Sequence, residues 1–300
     1  MKIALTGASG FLGRWVVKVF SENGFKVRGI DIEGDGDIIQ ANLAVYSHVK
    51  SVLTQIKPDV IIHLAALAGS SGKGGGTESL KNPYDYFKVN ALAALNVLEA
   101  CRELGIRKAE IMSSFSPYGK AVCPITEETP LEPNNPYGGS KQNVETIAKI
   151  YAKCYGIKTL IFRVPLICGE GQREMNALRE FIGSALKDEP IMIWGDGSTL
   201  REWVHPSDVA RAYLLGLKYL DKMETPYETF VLGNEPVRML DLAEEVVSVV
   251  GRGGVKLLLD KPKLFDQWTD HSKAKRELGW RSRVSLLKIV EQVVKDMRRT

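Results

Sequence analysis

Long uncharged apolar runs are missing from this sequence, and so are closely spaced cysteines. No stretch approaches the roughly 18 apolar residues that a membrane-spanning helix needs, so we expect no membrane partner. Gly7, Gly10 and Gly13 interrupt the first apolar segment before it could act as a signal peptide. The four cysteines lie 22, 31 and 14 residues apart, without the CxxC spacing typical of zinc sites. We therefore expect reduced thiols, no bound metal and a cytoplasmic protein.

A large excess of one charge is also missing. The 300 residues include 40 Lys and Arg against 36 Asp and Glu, and 44% are hydrophobic. The basic excess lies in residues 261–300, which hold 11 basic and 5 acidic side chains, whereas the first 260 residues hold 29 and 31. A basic segment of this kind is more typical of a solvated helix face than of a nucleic-acid-binding surface. We expect a globular protein with no nucleic-acid partner.

Short β-rich runs alternate with helical patterns in the first half of the chain, which predicts βαβ units and a parallel sheet. We therefore predict an α/β fold with a doubly wound parallel sheet in residues 1–165, to which a segment at about 204–235 returns. Residues 166–203 and 236–300 are predicted to form a smaller carboxyl-terminal lobe. The first six strands are predicted at Lys2–Thr6, Lys26–Ile30, Ile38–Gln40, Asp59–Leu64, Lys108–Ser114 and Gly156–Arg163. The main helices are predicted at Phe11–Glu22, Tyr46–Ile56, Phe87–Leu104 and Pro136–Tyr155.

Three glycines follow the first strand and open the first helix. Gly7, Gly10 and Gly13 can form a tight turn there and let a pyrophosphate approach backbone N–H groups. Their GxxGxxG spacing differs from the GxGxxG fingerprint, so the strand–turn–helix context carries the inference. Asp31 follows the second strand, where a carboxylate accepts hydrogen bonds from ribose hydroxyls and repels a 2′-phosphate. The pattern predicts NAD as the cofactor. Asn42 is expected either to contact the adenine or to cap a turn.

A tyrosine and a lysine lie four residues apart in the fourth main helix. Tyr137 and Lys141 therefore share one helix face. A serine cluster at 113–116 ends the preceding central strand, at the sheet edge where ligands bind in open α/β folds. This position singles them out from two other pairs of the same spacing, Tyr46/Lys50 and Tyr84/Lys88.

These residue types suit proton and hydride transfer at a hydroxyl-bearing carbon. A neighbouring ammonium and an oxidised nicotinamide both favour the phenolate form of Tyr137, so Lys141 is expected to tune its pKa. Ser114 is expected to orient the substrate hydroxyl whose proton Tyr137 accepts. A surface Tyr/Lys pair and a serine that caps a helix are the alternative.

At these residues the sequence resembles the extended branch of the short-chain dehydrogenase/reductase superfamily, the NAD-dependent sugar-nucleotide epimerase/dehydratase family. It is most like the UDP-glucose/UDP-galactose 4-epimerases. The likeness covers almost the whole chain. It is carried by the glycine turn and by residues 59–66, 82–83, 89–90, 113–114, 118–119, 137–141, 195–197, 201–205, 207–210 and 272–280.

The resemblance implies a Rossmann domain that binds NAD and a smaller lobe that holds a nucleotide diphosphate sugar. It implies that Arg201 reaches the diphosphate, a role that suits a guanidinium fork. Ser116 is expected to contact the substrate together with Ser114 and Tyr137. His63 is expected to have a structural role beside the cofactor. The resemblance also implies cofactor contacts at Phe11, Leu12, Leu43, Leu64, Ala65, Ala66 and Asn90.

Departures from the family pattern narrow the reaction. The family's dehydratases and decarboxylases carry acidic residues just after the catalytic Ser/Thr, where this chain has Phe115 and Ser116. Leu166 stands where 4-epimerases usually have a substrate-binding asparagine. The Arg-x-Gly-Asp segment near the diphosphate is replaced by residues 260–263, Asp-Lys-Pro-Lys. Loss of the extra acids leaves C4 epimerisation through a transient 4-keto sugar as the leading hypothesis. The alternatives are a reductase or dehydrogenase of a keto-sugar or other carbonyl, and a non-catalytic NAD-binding regulatory protein.

A glycine-rich loop and two apolar helices give two further predictions. Residues 69–76 read GSSGKGGG, and we predict that this loop orders over the sugar nucleotide and brings Lys73 towards its phosphates. A loop without such a role is the alternative. The helices Phe87–Leu104 and Pro136–Tyr155 are apolar beyond one stripe, which predicts a homodimer through a four-helix bundle, as in the family. The alternative is that the extra apolar positions face the sheet.

Overall fold

A computed structural model describes residues 1–34, 36–68 and 77–299. Within these ranges, seven strands form a parallel central sheet. They are β1 (Ile3–Thr6), β2 (Val27–Asp31), β3 (Ile38–Gln40), β4 (Val60–His63), β5 (Lys108–Ser114), β6 (Lys158–Val164) and β11 (Tyr227–Val231).

The strand order across the sheet is β11-β6-β5-β4-β1-β2-β3. The order reverses between β1 and β4, so the crevice at their carboxyl ends is the expected ligand position of a doubly wound fold. The predicted doubly wound parallel sheet is confirmed, and six predicted strands match β1 to β6 closely. The seventh strand, β11, returns to the sheet after the chain has left it.

Helices cover both faces of the central sheet and build the rest of the molecule. Two segments, Phe87–Leu92 and Ala274–Leu278, are π-helical, and Ser116–Tyr118 is a short 3₁₀ helix. The α-helices are α1 (Phe11–Glu22), α2 (Tyr46–Ile56), α3 (Thr77–Lys81), α4 (Pro83–Tyr86), α5 (Ala93–Leu104), α6 (Pro136–Tyr155), α7 (Ala177–Leu186), α8 (Pro206–Lys222), α9 (Met239–Val250) and α10 (Leu286–Met297).

The apolar faces of these elements form separate cores. One face of the sheet packs against α1 and α8, around Phe20, Phe162 and Tyr213. The other face packs against α2, α5 and α6, around Leu53 and Leu98. The strands β1 and β4 are buried along their whole length, as expected for parallel strands covered on both faces.

A third core lies under a smaller group of elements. Helices α7, α9 and α10 pack against Ile191 and Ile193. Six short strands accompany this core: β7 (Leu166–Ile167), β8 (Pro190–Trp194), β9 (Leu200–Arg201), β10 (Trp203–Val204), β12 (Val237–Arg238) and β13 (Gly254–Leu258). They form three two-stranded pairings, β7 with β10, β9 with β12 and β8 with β13. The domain boundaries proposed from the sequence stay a prediction.

The helix α6, which carries the Tyr/Lys pair, has strong local signals at both ends. The Asn135 side chain accepts a hydrogen bond from the Gly138 N–H at 2.9 Å, and Pro136 occupies the first turn. Gly156 ends the helix in the left-handed conformation, at φ 68°. These signals explain why the bounds predicted from the sequence match the structure.

No helix in the described ranges has both the length and the apolar character that crossing a bilayer requires. The four cysteines are free thiols, of which Cys101 and Cys168 are buried. Within the same ranges, no group of three or more His, Cys, Asp or Glu side chains could hold a metal ion.

Candidate active site

A cavity of about 1610 Å³ opens at the carboxyl ends of the central strands and extends onto the smaller group of elements. This is the position expected for ligands in a doubly wound sheet. Most of the site residues predicted from the sequence line it. They are Gly7, Gly10, Phe11, Leu12, Gly13, Asp31, Asn42, Leu43, Leu64, Ala65, Ala66, Ser114, Ser116, Tyr137, Lys141 and Arg201.

The glycine turn brings the backbone very close to its neighbours. A Cβ on Gly13 would lie 2.0 Å from the Gly7 carbonyl oxygen, and a Cβ on Gly7 would lie 2.7 Å from the Ala65 nitrogen. Gly10 caps α1 without a side chain, so the first N–H groups of the helix face the cavity unshielded. This arrangement fits the pyrophosphate of a dinucleotide, because backbone donors and the helix dipole both favour an anion there.

Asp31 is the last residue of β2 and is fixed beside this turn. Its Oδ2 accepts a hydrogen bond from the Ser9 N–H at 2.9 Å, and its Oδ1 accepts one from the Ile32 N–H at 2.7 Å. Each carboxylate oxygen has acceptor capacity left. The carboxylate therefore suits a pair of ribose hydroxyls at the edge of the cavity.

Asn42 caps a turn, which was one of its two predicted roles. Its Oδ1 accepts a hydrogen bond from the Ala44 N–H at 3.0 Å. The side chain also lines the cavity and is exposed, so a contact with the adenine stays a prediction. The two roles are compatible.

Asn90 has a different arrangement from the direct cofactor contact that the resemblance implies. It is buried in the π-helical segment and does not line the cavity. Its Oδ1 accepts from the Leu67 N–H at 2.8 Å, and its Nδ2 donates to the Leu67 carbonyl at 3.2 Å and to Ser140 Oγ at 2.9 Å. Because both ends of its amide are used, Asn90 holds the strand-end segment that lines the cavity. Lys73 and the loop 69–76 lie outside the described residues.

Tyr137, Lys141 and Ser114 meet in the cavity. The Tyr137 ring packs edge-on against Tyr86, with ring centroids 6.1 Å apart. Burial raises the pKa of Tyr137, and a hydrogen bond with Ser114 opposes the rise. The Lys141 Nζ donates to the Met112 carbonyl at 3.0 Å. Burial lowers the pKa of Lys141 to about 8.

The expected tuning of the phenol by Lys141 stays a prediction. Burial dominates, and the pKa of Tyr137 lies above its ordinary value. The Lys141 ammonium donates to the backbone of β5, and the hydrogen bond with Ser114 opposes the rise in the pKa of Tyr137.

The two other Tyr/Lys pairs of the same spacing do not enter the cavity. The Lys50 ammonium lies 6.0 Å from the centre of the Tyr46 ring, and Lys88 lies 5.8 Å from that of Tyr84. Tyr84 is 74% exposed. These pairs are contacts on helix surfaces. The serine cluster at 113–116, which distinguishes Tyr137 and Lys141 in the sequence, accompanies neither of them.

Arg201 reaches the cavity from β9. Its guanidinium stacks on Phe265 at 5.2 Å, and its Nη1 donates to the carbonyls of Leu200 and Phe265. The stacking and these two bonds orient the guanidinium, and Nη2 takes no part in them. Lys261 and Lys263 do not line the cavity and lie within 4 Å of Asp260 and Asp266, respectively.

His63 is buried and has a hydrogen-bond partner, which fits the structural role predicted for it. Its Nδ1 and Thr6 Oγ1 are 2.8 Å apart, and the ring is buried at the end of β4. Burial, with a smaller contribution from Lys141, lowers the pKa of His63 to about 3. The imidazole is therefore neutral at physiological pH.

Two groups of residues near the site carried no sequence signal strong enough to single them out. Apolar side chains outside the central sheet, including Met192, Trp194 and Phe265, line the outer cavity and are each more than 40% exposed. Glu145 and Arg163 form a buried ion pair behind the Tyr/Lys pair. The second group has a weak signal, because Glu145 continues the four-residue spacing of Tyr137 and Lys141.

Comparison with known proteins identifies the family of this chain. Residues 3–233 match the model of the NAD dependent epimerase/dehydratase family. A putative UDP-glucose 4-epimerase of Methanocaldococcus jannaschii is 30% identical, over 99% of this chain and 98% of that protein. A UDP-glucose 4-epimerase of Streptococcus mutans is also 30% identical, over 94% of this chain and 92% of that protein.

Solved structures are similar over the whole chain. The UDP-glucose 4-epimerase of Thermotoga maritima with UDP-glucose is 26% identical, with a TM-score of 0.85, and the match covers 100% of this chain and 99% of that chain. MoeE5 in complex with UDP-glucuronic acid and NAD is 26% identical, with a TM-score of 0.86 and the same coverage. The glycine turn, the Tyr/Lys helix and the family match lead to one conclusion: this chain belongs to the NAD dependent epimerase/dehydratase family, and its cofactor is NAD.

Proposed function

We propose that this protein epimerises C4 of a nucleotide diphosphate sugar of the UDP-glucose/UDP-galactose type. The observation that carries the proposal is the meeting of Ser114, Tyr137 and Lys141 in one cavity beside the glycine turn. The two positions after Ser114 are Phe115, which is buried, and Ser116, so no carboxylate follows the serine to assist loss of water or CO₂. Hydride and one proton are all that C4 epimerisation requires.

The residues of the chain have separate tasks in this reaction. Bound NAD supplies the hydride acceptor and donor at C4. Tyr137 removes the proton from the C4 hydroxyl and returns it to the same oxygen after the 4-keto sugar has turned over in the cavity. Ser114 donates a hydrogen bond to that oxygen and orients it. Lys141 provides the positive charge behind the phenol.

The remaining contacts divide between cofactor and substrate. We assign the pyrophosphate to the N–H groups of Phe11 and Leu12, and the adenosine ribose to Asp31. We assign the diphosphate of the sugar nucleotide to Arg201, whose stacked guanidinium presents a fork to phosphate oxygens. Ser116 lines the cavity next to Ser114 and is assigned to the sugar.

Stoichiometry tests the proposal. The purified protein is incubated with UDP-galactose and a small amount of NAD, and the formation of UDP-glucose is followed by chromatography. We expect many turnovers for each NAD, without net change in nicotinamide absorbance. Net formation of one NADH for each sugar nucleotide oxidised would instead identify a dehydrogenase, and consumption of one NADH for each molecule of a keto-sugar in a parallel incubation would identify a reductase. Tight NAD binding without turnover on a panel of sugar nucleotides would identify a non-catalytic relative.

We also propose a homodimer through α5 and α6, in the cytoplasm. Leu92 at the end of the preceding π-helical segment, Leu95 on α5 and Ile150 on α6 are each between 38% and 49% exposed. Tyr155 is 44% exposed at the end of α6. Apolar side chains on two neighbouring helices suit a four-helix bundle with a second copy. Free thiols suit a reducing compartment.

A further inference from the structure

A buried carboxylate lies one helical turn after Lys141. The side chains of Glu145 and its partner Arg163 are only 5% and 8% exposed. Arg163 donates from Nη2 to Glu145 Oε2 at 2.8 Å and from Nε to Oε1 at 3.1 Å. Ser113 Oγ donates to Glu145 Oε1. One carboxylate therefore connects α6 with the ends of β5 and β6.

Ser113, which donates to Glu145, lies in the sequence between two residues that contact the Tyr/Lys pair. Ser113 is preceded by Met112, whose carbonyl accepts the hydrogen bond from Lys141 Nζ, and is followed by Ser114. The Ser113 side chain faces α6, because it donates to Glu145 Oε1. Fixing Ser113 against α6 therefore fixes the Lys141 acceptor and the Ser114 hydroxyl together.

The same carboxylate balances charge in the interior. Burial disfavours the ammonium of Lys141, and the interaction with Glu145 opposes that effect. His63 faces Lys141 from β4 but is neutral. Tyr137 precedes Lys141 by four residues in α6. Glu145 is in turn faced by the cation of Arg163 and by the hydroxyls of Tyr118 and Tyr227.

We infer that Glu145 is a positioning residue of this active site: it fixes the strand end that carries Ser114 and supplies the negative charge that keeps Lys141 an ammonium. The inference rests on the proposed function for the roles of Lys141 and Ser114. The contacts of Glu145 themselves do not depend on it.

The pH dependence of turnover distinguishes positioning from simple stability. In Glu145→Gln the side chain keeps its shape and an oxygen for Ser113 but loses its charge. We expect the alkaline limb of the kcat profile to move to lower pH by about one unit or more, because Lys141 loses its proton more easily. The KM for the sugar nucleotide should not change. An alkaline limb at the wild-type pH would overturn the inference.

A second buried carboxylate provides the matched control. Asp208 is fully buried in α8 and forms an ion pair with Arg211, and it accepts hydrogen bonds from the Arg283 and Val284 N–H groups. Asp208→Asn removes a comparable buried charge away from the Tyr/Lys pair. We expect lower stability with the wild-type alkaline limb. A limb that moved equally in this variant would overturn the specific role of Glu145.

A direct titration separates the inference from the proposed function. Lysines are labelled with ¹³C at Cε, the Lys141 signal is identified by its loss in Lys141→Met, and its pKa is followed by NMR. We expect a lower pKa in Glu145→Gln than in the wild type, whether or not the enzyme turns over UDP-galactose. An unchanged pKa of Lys141 would overturn the inference even if epimerase activity were found.

A double variant keeps the test decisive if the single variant does not fold. Glu145→Gln with Arg163→Met removes both buried charges, and such replacements are often neutral for stability. We expect the pKa of Lys141 to lie below the wild-type value in this variant too. A wild-type pKa there would show that the carboxylate does not act on Lys141.

Discussion

Tyr137 is the residue on which the proposed chemistry depends most. Tyr137→Phe removes one hydroxyl and keeps the ring that packs against Tyr86. Loss of a general base commonly lowers turnover by about 100-fold or more, so we expect at least that loss in kcat. NAD affinity, measured by calorimetry, should stay near the wild-type value. Turnover within a few-fold of the wild type would remove Tyr137 from its assigned role.

Asp31 is predicted to select NAD over NADP. Asp31→Ala deletes an acceptor for the ribose hydroxyls and a negative charge that repels a 2′-phosphate. We expect weaker binding of NAD and improved relative binding of NADP in parallel fluorescence titrations. The variant also removes the acceptor to which the Ser9 N–H donates in the wild type. An unchanged preference would mean that another group recognises the ribose.

Glu202 gives the fold a dependence on pH. It accepts hydrogen bonds from the Asn234 N–H and the Thr269 hydroxyl, but burial dominates and raises its pKa to about 8. Between the ordinary value of 4.5 and about 8, the folded protein holds a proton that the unfolded chain has lost. The contribution of this proton to the stability of the folded protein is therefore complete below pH 4.5. It is lost as the pH rises through the folded-state pKa of about 8.

The variant Glu202→Gln tests this dependence. A neutral amide cannot lose a proton, so we expect the variant to lose less stability than the wild type as the pH rises through this window. The difference in Tm should change by roughly 5 °C or more across it. Thermal denaturation at a series of pH values provides the measurement. Parallel curves for the two proteins would contradict the raised pKa.

At the scale of elements, the turn between β1 and α1 is the tightest point of the cofactor site. A Cβ on Gly13 would overlap the Gly7 carbonyl at 2.0 Å, so Gly13→Ala must shift backbone rather than a flexible side chain. We expect weak or lost NAD binding and a lower Tm. Gly254→Ala is the matched control, since a Cβ there would meet nothing within 4 Å. Equal behaviour of the two variants in calorimetry would contradict this account.

Elements whose pattern is local were predictable from the sequence. The bounds of α1, α2 and α6 are those expected, because apolar spacing and end signals such as Asn135 and Gly156 act within a few residues. The π-helical start of the predicted helix Phe87–Leu104 was not predictable, because helical periodicity does not distinguish a π turn from an α turn. That turn carries Asn90, whose arrangement differed from the expected contact.

Features that depend on distant partners were hidden from the sequence. The ion pair of Glu145 joins residues 18 apart, and its effect on Lys141 follows from burial that only packing creates. The raised pKa of Glu202 has the same origin. Residue types and spacings locate the chemistry of the site, whereas its electrostatics follow from the three-dimensional arrangement.

For the whole molecule, the exposed apolar residues of α5 and α6 predict a dimer. Light scattering at micromolar concentration should give twice the chain mass of 33.2 kDa. Leu95→Glu, which places a charge at a residue that is 38% exposed on α5, should give the monomer mass. Leu287→Glu is the control, because this leucine is 45% exposed on α10. A monomeric wild type would refute the dimer.

The strand β11 imposes an order of assembly on the growing polypeptide. It pairs with β6, yet residues 165–226 separate the two strands in the chain. At translation rates of about 5–20 residues per second, the outer edge of β6 stays unpaired for roughly 3–12 s before β11 is synthesised. An unpaired strand edge is a template for association with other chains. Nascent chains stalled in this interval are the species for which we expect the greatest demand on chaperones.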